Sequence, residues 1–145
     1  MDKFLEKFSP QIYALLRIVT GFLFLAHGLQ KVFGMLHSTK IDDVTAHHWF
    51  GGQPAEMFSQ MWIGGVIELL GGLLILVGFQ TAWAAFICSG TMAVAYFQMH
   101  QPNGLLPAQN GGEKAALYAF VFLFLASRGS GIWSIDALMG KKSGD

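Results

Sequence analysis

The sequence predicts an all-α integral membrane protein, a four-helix bundle forming one domain over residues 1–145. Apolar residues make up 53% of the chain and charged residues only 12%, about half the charged share usual in soluble domains. In addition, four apolar stretches approach the roughly 20 residues that a helix needs to cross the hydrocarbon core of a bilayer. The predicted helices occupy residues 12–34, 54–79, 81–100 and 113–128.

The first predicted helix has an uncharged centre, residues 18–26, and the second carries a single charge within residues 62–79. The basic start of the chain is similar to a signal peptide, but the apolar run after it is long and ends in polar residues, so we expect an uncleaved helix. Arg17 is expected to extend to the membrane surface. The second helix is expected to begin at Pro54, since proline suits a first helical position, and its one charged residue is Glu68.

The third predicted helix carries no formal charge, and its cysteine, Cys88, is expected to be an inert thiol in apolar surroundings. The fourth has an apolar part, 115–126, that is too short to span alone, so its polar ends must be counted or the helix must lie within protein. Asn110 precedes Glu113 with the spacing of a capping box. Ser134 is expected to cap a short surface helix.

The basic residues predict the orientation of the bundle. Four crossings place both termini on one side, and six of the nine basic residues lie on that side, which indicates cytoplasmic termini. The chain has nine basic and nine acidic residues, so its net charge is zero. A nucleic-acid partner is therefore not expected. The lipid bilayer is the expected environment.

Polar side chains from several predicted helices meet at the outer end of this bundle. Charged groups inside a membrane usually face the bundle interior and pair, so Glu68 is expected to pair with His27 or Lys31. Gly64 and Gly71 share a helix face with Glu68, which favours close helix packing on that side. The predicted ligand-binding residues are His27, Lys31, Glu68, His100 and Glu113.

Two interpretations of this cluster stay open. It is either a buried ion pair that fixes the register of the helices or a site for a ligand or a proton. Glu113 also suits a role in a helix capping box. His100 also suits a histidine at the membrane interface that binds no ligand. No metal site is predicted, because the histidines, including His37, His47 and His48 of the outer loop, show no H-x-x-x-H spacing.

Four segments in this order resemble the DoxX family of small bacterial membrane proteins. In the first helix the resemblance lies in Leu16-Arg17-Ile18 and His27-Gly28-Leu29-Gln30-Lys31-Val32-Phe33-Gly34, and in the second it lies in Ile67-Glu68-Leu69-Leu70-Gly71-Gly72-Leu73. In the third it lies in Met92 through Tyr96 with His100, Pro102, Asn103 and Gly104. In the fourth helix and the tail it lies in Asn110-Gly111-Gly112-Glu113, Arg128-Gly129 and Trp133-Ser134-Ile135-Asp136. It implies four membrane helices in the bacterial cytoplasmic (inner) membrane. It also implies a role beside quinol oxidase, thiosulfate:quinone oxidoreductase or other membrane oxidoreductase complexes.

The function predicted from this resemblance is a subunit of a quinone-linked membrane oxidoreductase. The sequence has no flavin or nicotinamide fingerprint, no cysteine pair and no CxxCH haem motif, so no intrinsic cofactor is expected. A bound quinone or a partner subunit would supply the redox chemistry, with Phe24, Tyr96 and Phe97 flanking the ring. The alternative is a non-catalytic accessory subunit that packs, with other subunits or with itself, in a larger membrane complex.

Overall fold

The computed structural model describes residues 2–36 and 53–140, and this part of the chain is helical without a strand. The all-α prediction is therefore confirmed for these residues, while His37, His47 and His48 lie outside them. The described helices are α1 (Asp2–Glu6), α2 (Ser9–Phe33), α3 (Gln60–Val77), α4 (Thr81–Ala95), α5 (Pro107–Asn110), α6 (Glu113–Arg128) and α7 (Ile135–Leu138), with a π-helical turn (Tyr96–His100) and a 3₁₀ turn (Gln101–Asn103) between α4 and α5.

Three of the described helical segments are long and apolar enough to cross a membrane. They are α2, α3 and the segment Thr81–Asn103, with mean hydropathies of 1.7, 1.8 and 1.2. Helix α6 has the predicted bounds, but its 16 residues extend only about 24 Å at 1.5 Å per residue. Many large apolar side chains face outward around the bundle, among them Trp83 at 70% and Phe120 at 72% exposure. Such a surface suits lipid, not water.

Helix α3 begins at Gln60, six residues later than the expected start at Pro54. Ser59 determines this start, because its Oγ accepts the N–H of Trp62 at 3.1 Å as an N-cap. The preceding residues bond elsewhere: the N–H of Ala55 donates to the carbonyl of Lys31 at 2.7 Å. The segment before α3 is thus tied to the end of α2 instead of continuing the helix.

Helices α2 and α3 pack closely because glycines remove the side chains between them. A Cβ atom at Gly28 would lie 2.4 Å from the backbone N of Leu69, and one at Gly72 would lie 2.5 Å from the backbone N of Leu25. The expected packing of Gly64 is wrong, since a Cβ there would meet nothing within 4 Å, and Gly65 faces α2 instead. Close backbone approach through small residues is typical of membrane helix pairs.

Helices α4 and α6 form the second closely packed pair. Ser89 Oγ donates to the carbonyl of Ala119 at 2.7 Å across this contact. The apolar core lies between the two pairs and includes Phe24, Cys88 and Phe122, so the cysteine is buried as predicted. The ring of Phe24 packs edge-on against Phe122, with centroids 4.5 Å apart.

At the end of the bundle that carries the termini, the expectation for Arg17 is wrong. Its side chain is fully buried and does not extend to the surface. The guanidinium donates to the carbonyl oxygens of Ile75 at 3.3 Å and Trp133 at 2.7 Å, so it joins the end of α3 to the tail. A guanidinium can stay buried when backbone oxygens accept hydrogen bonds from its N–H groups.

The tail after α6 is held to the bundle by further hydrogen bonds. Asp136 Oδ2 accepts the N–H of Gln80 at 2.8 Å and the hydroxyl of Ser130 at 2.6 Å. Ser134 Oγ accepts the N–H of Ala137 at 3.1 Å, so its predicted role as the cap of α7 is confirmed. The tail therefore closes the termini end of the bundle.

The predicted capping role of Asn110 is wrong. Asn110 is the last residue of α5, and Gly112 is the N-cap of α6. The side chain of Asn110 instead accepts the N–H of Gly112 at 2.8 Å and donates to the carbonyl of Gly104 at 2.9 Å. It stabilises the turn between α5 and α6, because asparagine bonds its own backbone two residues on.

Candidate functional site

An ion pair between α2 and α3 forms the centre of the predicted site. Lys31 Nζ lies 2.5 Å from Glu68 Oε1, with side-chain exposures of 24% for the lysine and 3% for the glutamate. Of the two partners that the sequence allowed for Glu68, the structure therefore selects Lys31. Within the described part of the chain, Glu68 Oε2 is buried without a hydrogen-bond partner.

A glycine lets this pair form. Gly65 lies one helical turn before Glu68 on α3, and a Cβ there would come within 2.7 Å of Lys31 Cβ. The lysine side chain therefore crosses α3 over a position without a side chain. Its stem occupies the helix interface and its ammonium group reaches the carboxylate, as long cationic side chains can do.

His27 lies next to this ion pair on α2, but Lys31 and not His27 binds the carboxylate of Glu68. It precedes Lys31 by one helical turn, so both side chains are on one face of α2. Its ring meets the ring of Tyr118 edge-on, with centroids 6.4 Å apart. The imidazole thus lies between the lysine and α6.

Two residues that the sequence did not assign to the site adjoin these side chains. Tyr118 of α6 meets His27, with ring centroids 6.4 Å apart, and the thiol of Cys88 faces Gly71 of α3, three residues after Glu68. Tyr118 was detectable in principle as a hydroxyl within the apolar run of α6. The sequence predicts Cys88 only as an inert thiol. Which residues of α3 it faces depends on how α4 packs.

His100 and Glu113 form a second, peripheral set. His100 is the last residue of the π-helical turn, and Glu113 is the first residue of α6. The His100 ring stacks on Tyr96 with centroids 6.5 Å apart, and its Nδ1 lies 3.3 Å from the carbonyl oxygen of Asn110. Glu113 is exposed as the first residue of α6. The five predicted residues thus divide into an interior group of His27, Lys31 and Glu68 and these two peripheral residues.

The interior group can accept a hydrogen bond or a proton at membrane depth. One carboxylate oxygen of Glu68 is engaged by Lys31, which offsets its charge, and the other is available as an acceptor among buried side chains. An ionisable group placed in this way is costly to bury and is usually functional in a membrane protein. The aromatic residue Phe24 is buried against Tyr118 and Phe122 in the neighbouring core.

Two known proteins are similar to most of the length of this chain. A Haemophilus influenzae protein named "Uncharacterized protein" is 37% identical over 141 residues, which cover 95% of this chain and 98% of that protein. A Bacillus subtilis protein named "Putative oxidoreductase CatD" is 29% identical over 135 residues, covering 90% of each. No solved structure matches the chain.

The sequence profile of one family matches the helices that hold the interior group. The profile is described as DoxX, and it matches residues 12–101, which include most of α2 and all of α3 and α4, with His27, Lys31 and Glu68. This match extends over more than half of the chain. The membrane-compatible helices and this match lead to one conclusion: the chain belongs to the DoxX family of membrane proteins.

Proposed function

We propose that this protein is a subunit of a quinone-linked oxidoreductase system in the bacterial cytoplasmic membrane. The observation that carries the proposal is the buried carboxylate of Glu68, with one oxygen on Lys31 and the other unpaired among the described residues. A bound quinone would supply two-electron redox chemistry that takes up or releases two protons. Glu68 would accept a hydrogen bond or a proton from the head group, as a positioned carboxylate can.

The neighbouring residues suit the same role. Lys31 holds Glu68 in place, and its side chain is itself partly exposed. His27 and Tyr118 provide further polar groups next to an aromatic core, against which a ring can stack. His100 and Glu113 would contribute at the periphery. The relative from Bacillus subtilis, named an oxidoreductase, supports the reaction class.

The proposal includes four membrane crossings with both termini in the cytoplasm. Helix α6 is short for a span, but it is packed along α4 and followed by a tail that folds back on the bundle. A shorter helix can be accommodated when the bilayer thins locally or flanking residues extend to the interface. The excess of lysine and arginine on the termini side supports the orientation.

Quinone content tests the proposal directly. Protein purified gently from native membranes should yield near-stoichiometric quinone on solvent extraction, and Glu68→Gln should lose most of it while keeping its elution volume. The matched control is Glu56→Gln, an exposed glutamate ahead of α3, which should retain wild-type quinone. Absence of quinone from folded wild-type protein would refute the proposal.

A second candidate function is an accessory subunit that packs in a larger membrane complex. The close glycine contacts between α2 and α3 favour it, because the Lys31–Glu68 pair then serves to fix the register of that interface. This function predicts that Glu68→Gln lowers the thermal midpoint or mislocalises the protein and changes no ligand. Co-purification of a partner that depends on Glu68, with no quinone in either sample, would favour it.

A further inference from the structure

A cavity that the sequence did not predict opens at the termini end of the bundle. It measures about 720 Å³ and is walled by α1, α2, the first turn of α4, the end of α6 and the tail. Its residues include Glu6, Tyr13, Trp83 and Arg128. Ser9 and Lys31 lie 22 residues apart on α2, roughly 33 Å, so this cavity is distant from the interior group.

A smaller groove continues from this cavity along the bundle surface. It measures about 340 Å³ and shares Ser9, Tyr13 and Arg128 with the cavity. Its other walls are Ile12, Leu16 and Phe124. Leu16 is seven residues further along α2 than Ser9, about 10 Å towards the membrane centre. The deep wall of the groove is therefore apolar, whereas the cavity also carries the charged side chains of Glu6 and Arg128.

Tyr13 and Arg128 form the wall between the cavity and the groove. The hydroxyl of Tyr13 donates to the carbonyl of Gly129 at 2.5 Å, and its ring packs edge-on against Phe124 with centroids 5.9 Å apart. Arg128, the last residue of α6, lines both spaces at this junction. Glu6 belongs to α1, outside the apolar span, and lines only the larger cavity.

We propose that the cavity and groove together bind one phospholipid whose head group carries a phosphate and a primary ammonium. Arg128 at the junction suits the phosphate, since guanidinium groups form strong charge-assisted hydrogen bonds with phosphate oxygens. The carboxylate of Glu6 suits the ammonium. One acyl chain lies in the groove against Ile12, Leu16 and Phe124. This order of charges and apolar surface follows the depth profile of a lipid at the cytoplasmic interface.

Native mass spectrometry tests the binding of this lipid. The protein is released from nanodiscs that contain equal amounts of phosphatidylethanolamine, phosphatidylglycerol and phosphatidylcholine. We expect wild-type protein to retain one phosphatidylethanolamine, at least fivefold above either other lipid. Arg128→Gln should lower lipid retention about tenfold, whereas Arg128→Lys should stay within threefold of wild type. The matched control, Lys3→Gln, removes a cation from the same end but outside both spaces and should retain wild-type binding.

Two further variants test the two ends of the lipid separately. Glu6→Gln should keep one bound lipid but lose the preference for phosphatidylethanolamine over phosphatidylglycerol. Leu16→Trp should fill the groove and reduce retention of every lipid at least fivefold, with an unchanged elution volume as the check of folding.

Three outcomes would overturn the proposal. The first is wild-type protein with no lipid preference, and the second is Arg128→Gln that binds as wild type. The third is displacement of the lipid by an equal concentration of water-soluble glycerophosphoethanolamine, because the head group alone would then account for binding. None of these outcomes depends on quinone content.

Discussion

At the scale of single residues, the pairing of Lys31 with Glu68 determines what α2 and α3 can do together. Only 3% of the glutamate side chain is exposed, so this contact lies at a buried charged group. Removing one member of such a pair leaves an uncompensated buried charge, whereas replacing both members by apolar residues removes the desolvation cost. Stability measurements can therefore separate the ion pair from any ligand role.

We predict that Lys31→Met destabilises the protein by roughly 2 kcal/mol, below the full range for buried pairs because the lysine is partly exposed. The double variant Lys31→Met with Glu68→Met should recover to within about 1 kcal/mol of wild type. Thermal unfolding in detergent measures both effects. A double variant less stable than Lys31→Met would contradict the pairing.

Arg17 gives a second prediction at the residue scale. Arg17→Met removes the donors that hold the tail at Trp133 and the end of α3 at Ile75. Hydrogen bonds from a charged group contribute about 1.5–3 kcal/mol, so the tail should open more than tenfold more often. Hydrogen exchange of residues 130–138 reports this opening. Unchanged exchange there, in folded protein, would show that other contacts hold the tail.

At the scale of helices, the packing of α2 on α3 depends on the positions that lack side chains. We predict that Gly28→Ala destabilises the bundle by more than about 2 kcal/mol, because its methyl group would overlap the backbone of Leu69. Gly90→Ala is the matched control. Its Cβ would meet nothing within 4 Å, and alanine favours a helix over glycine by about 1 kcal/mol. Equal thermal midpoints for the two variants would contradict the close approach.

Helix α4 also shows why helix ends are difficult to predict. The expected helix over 81–100 is α-helical only to Ala95 and continues as a π-helical turn to His100. The start of α3 also differs from the expected one, because Ser59 provides an N-cap within a segment otherwise compatible with helix. Periodicity predicts where helices exist, whereas local hydrogen bonds determine where they begin and end.

At the scale of the whole molecule, the proposed orientation can be tested by labelling. In a Cys88→Ser background, Gln101→Cys should react with a membrane-impermeant maleimide added outside intact cells, since residue 101 is exposed at the end far from the termini. The wild-type chain should not react, because Cys88 is fully buried. Fluorescence of a protein fused after residue 145 should report a cytoplasmic terminus. Labelling of Gln101→Cys only after lysis would reverse the orientation.

The sequence by itself determined the helical class, three of the four predicted apolar spans and the family of this protein. Hydropathy and motif order are properties of consecutive residues, so no packing information is needed to recognise them. It also identified Glu68 as the charged residue of α3 that needs a partner within the membrane. The apolar spans and the need of Glu68 for a partner both depend on the free-energy cost of placing polar groups in lipid. Each segment carries that cost whatever its neighbours are.

Only the tertiary structure decided which groups meet. It selected Lys31 as the partner of Glu68, placed Tyr118 against His27, and showed that Arg17 is buried. The physical reason is that these contacts depend on the rotation and depth of packed helices and on a tail that folds back to offer carbonyl oxygens. Residues distant in sequence become neighbours through packing, and neither hydropathy nor charge along the chain encodes that choice.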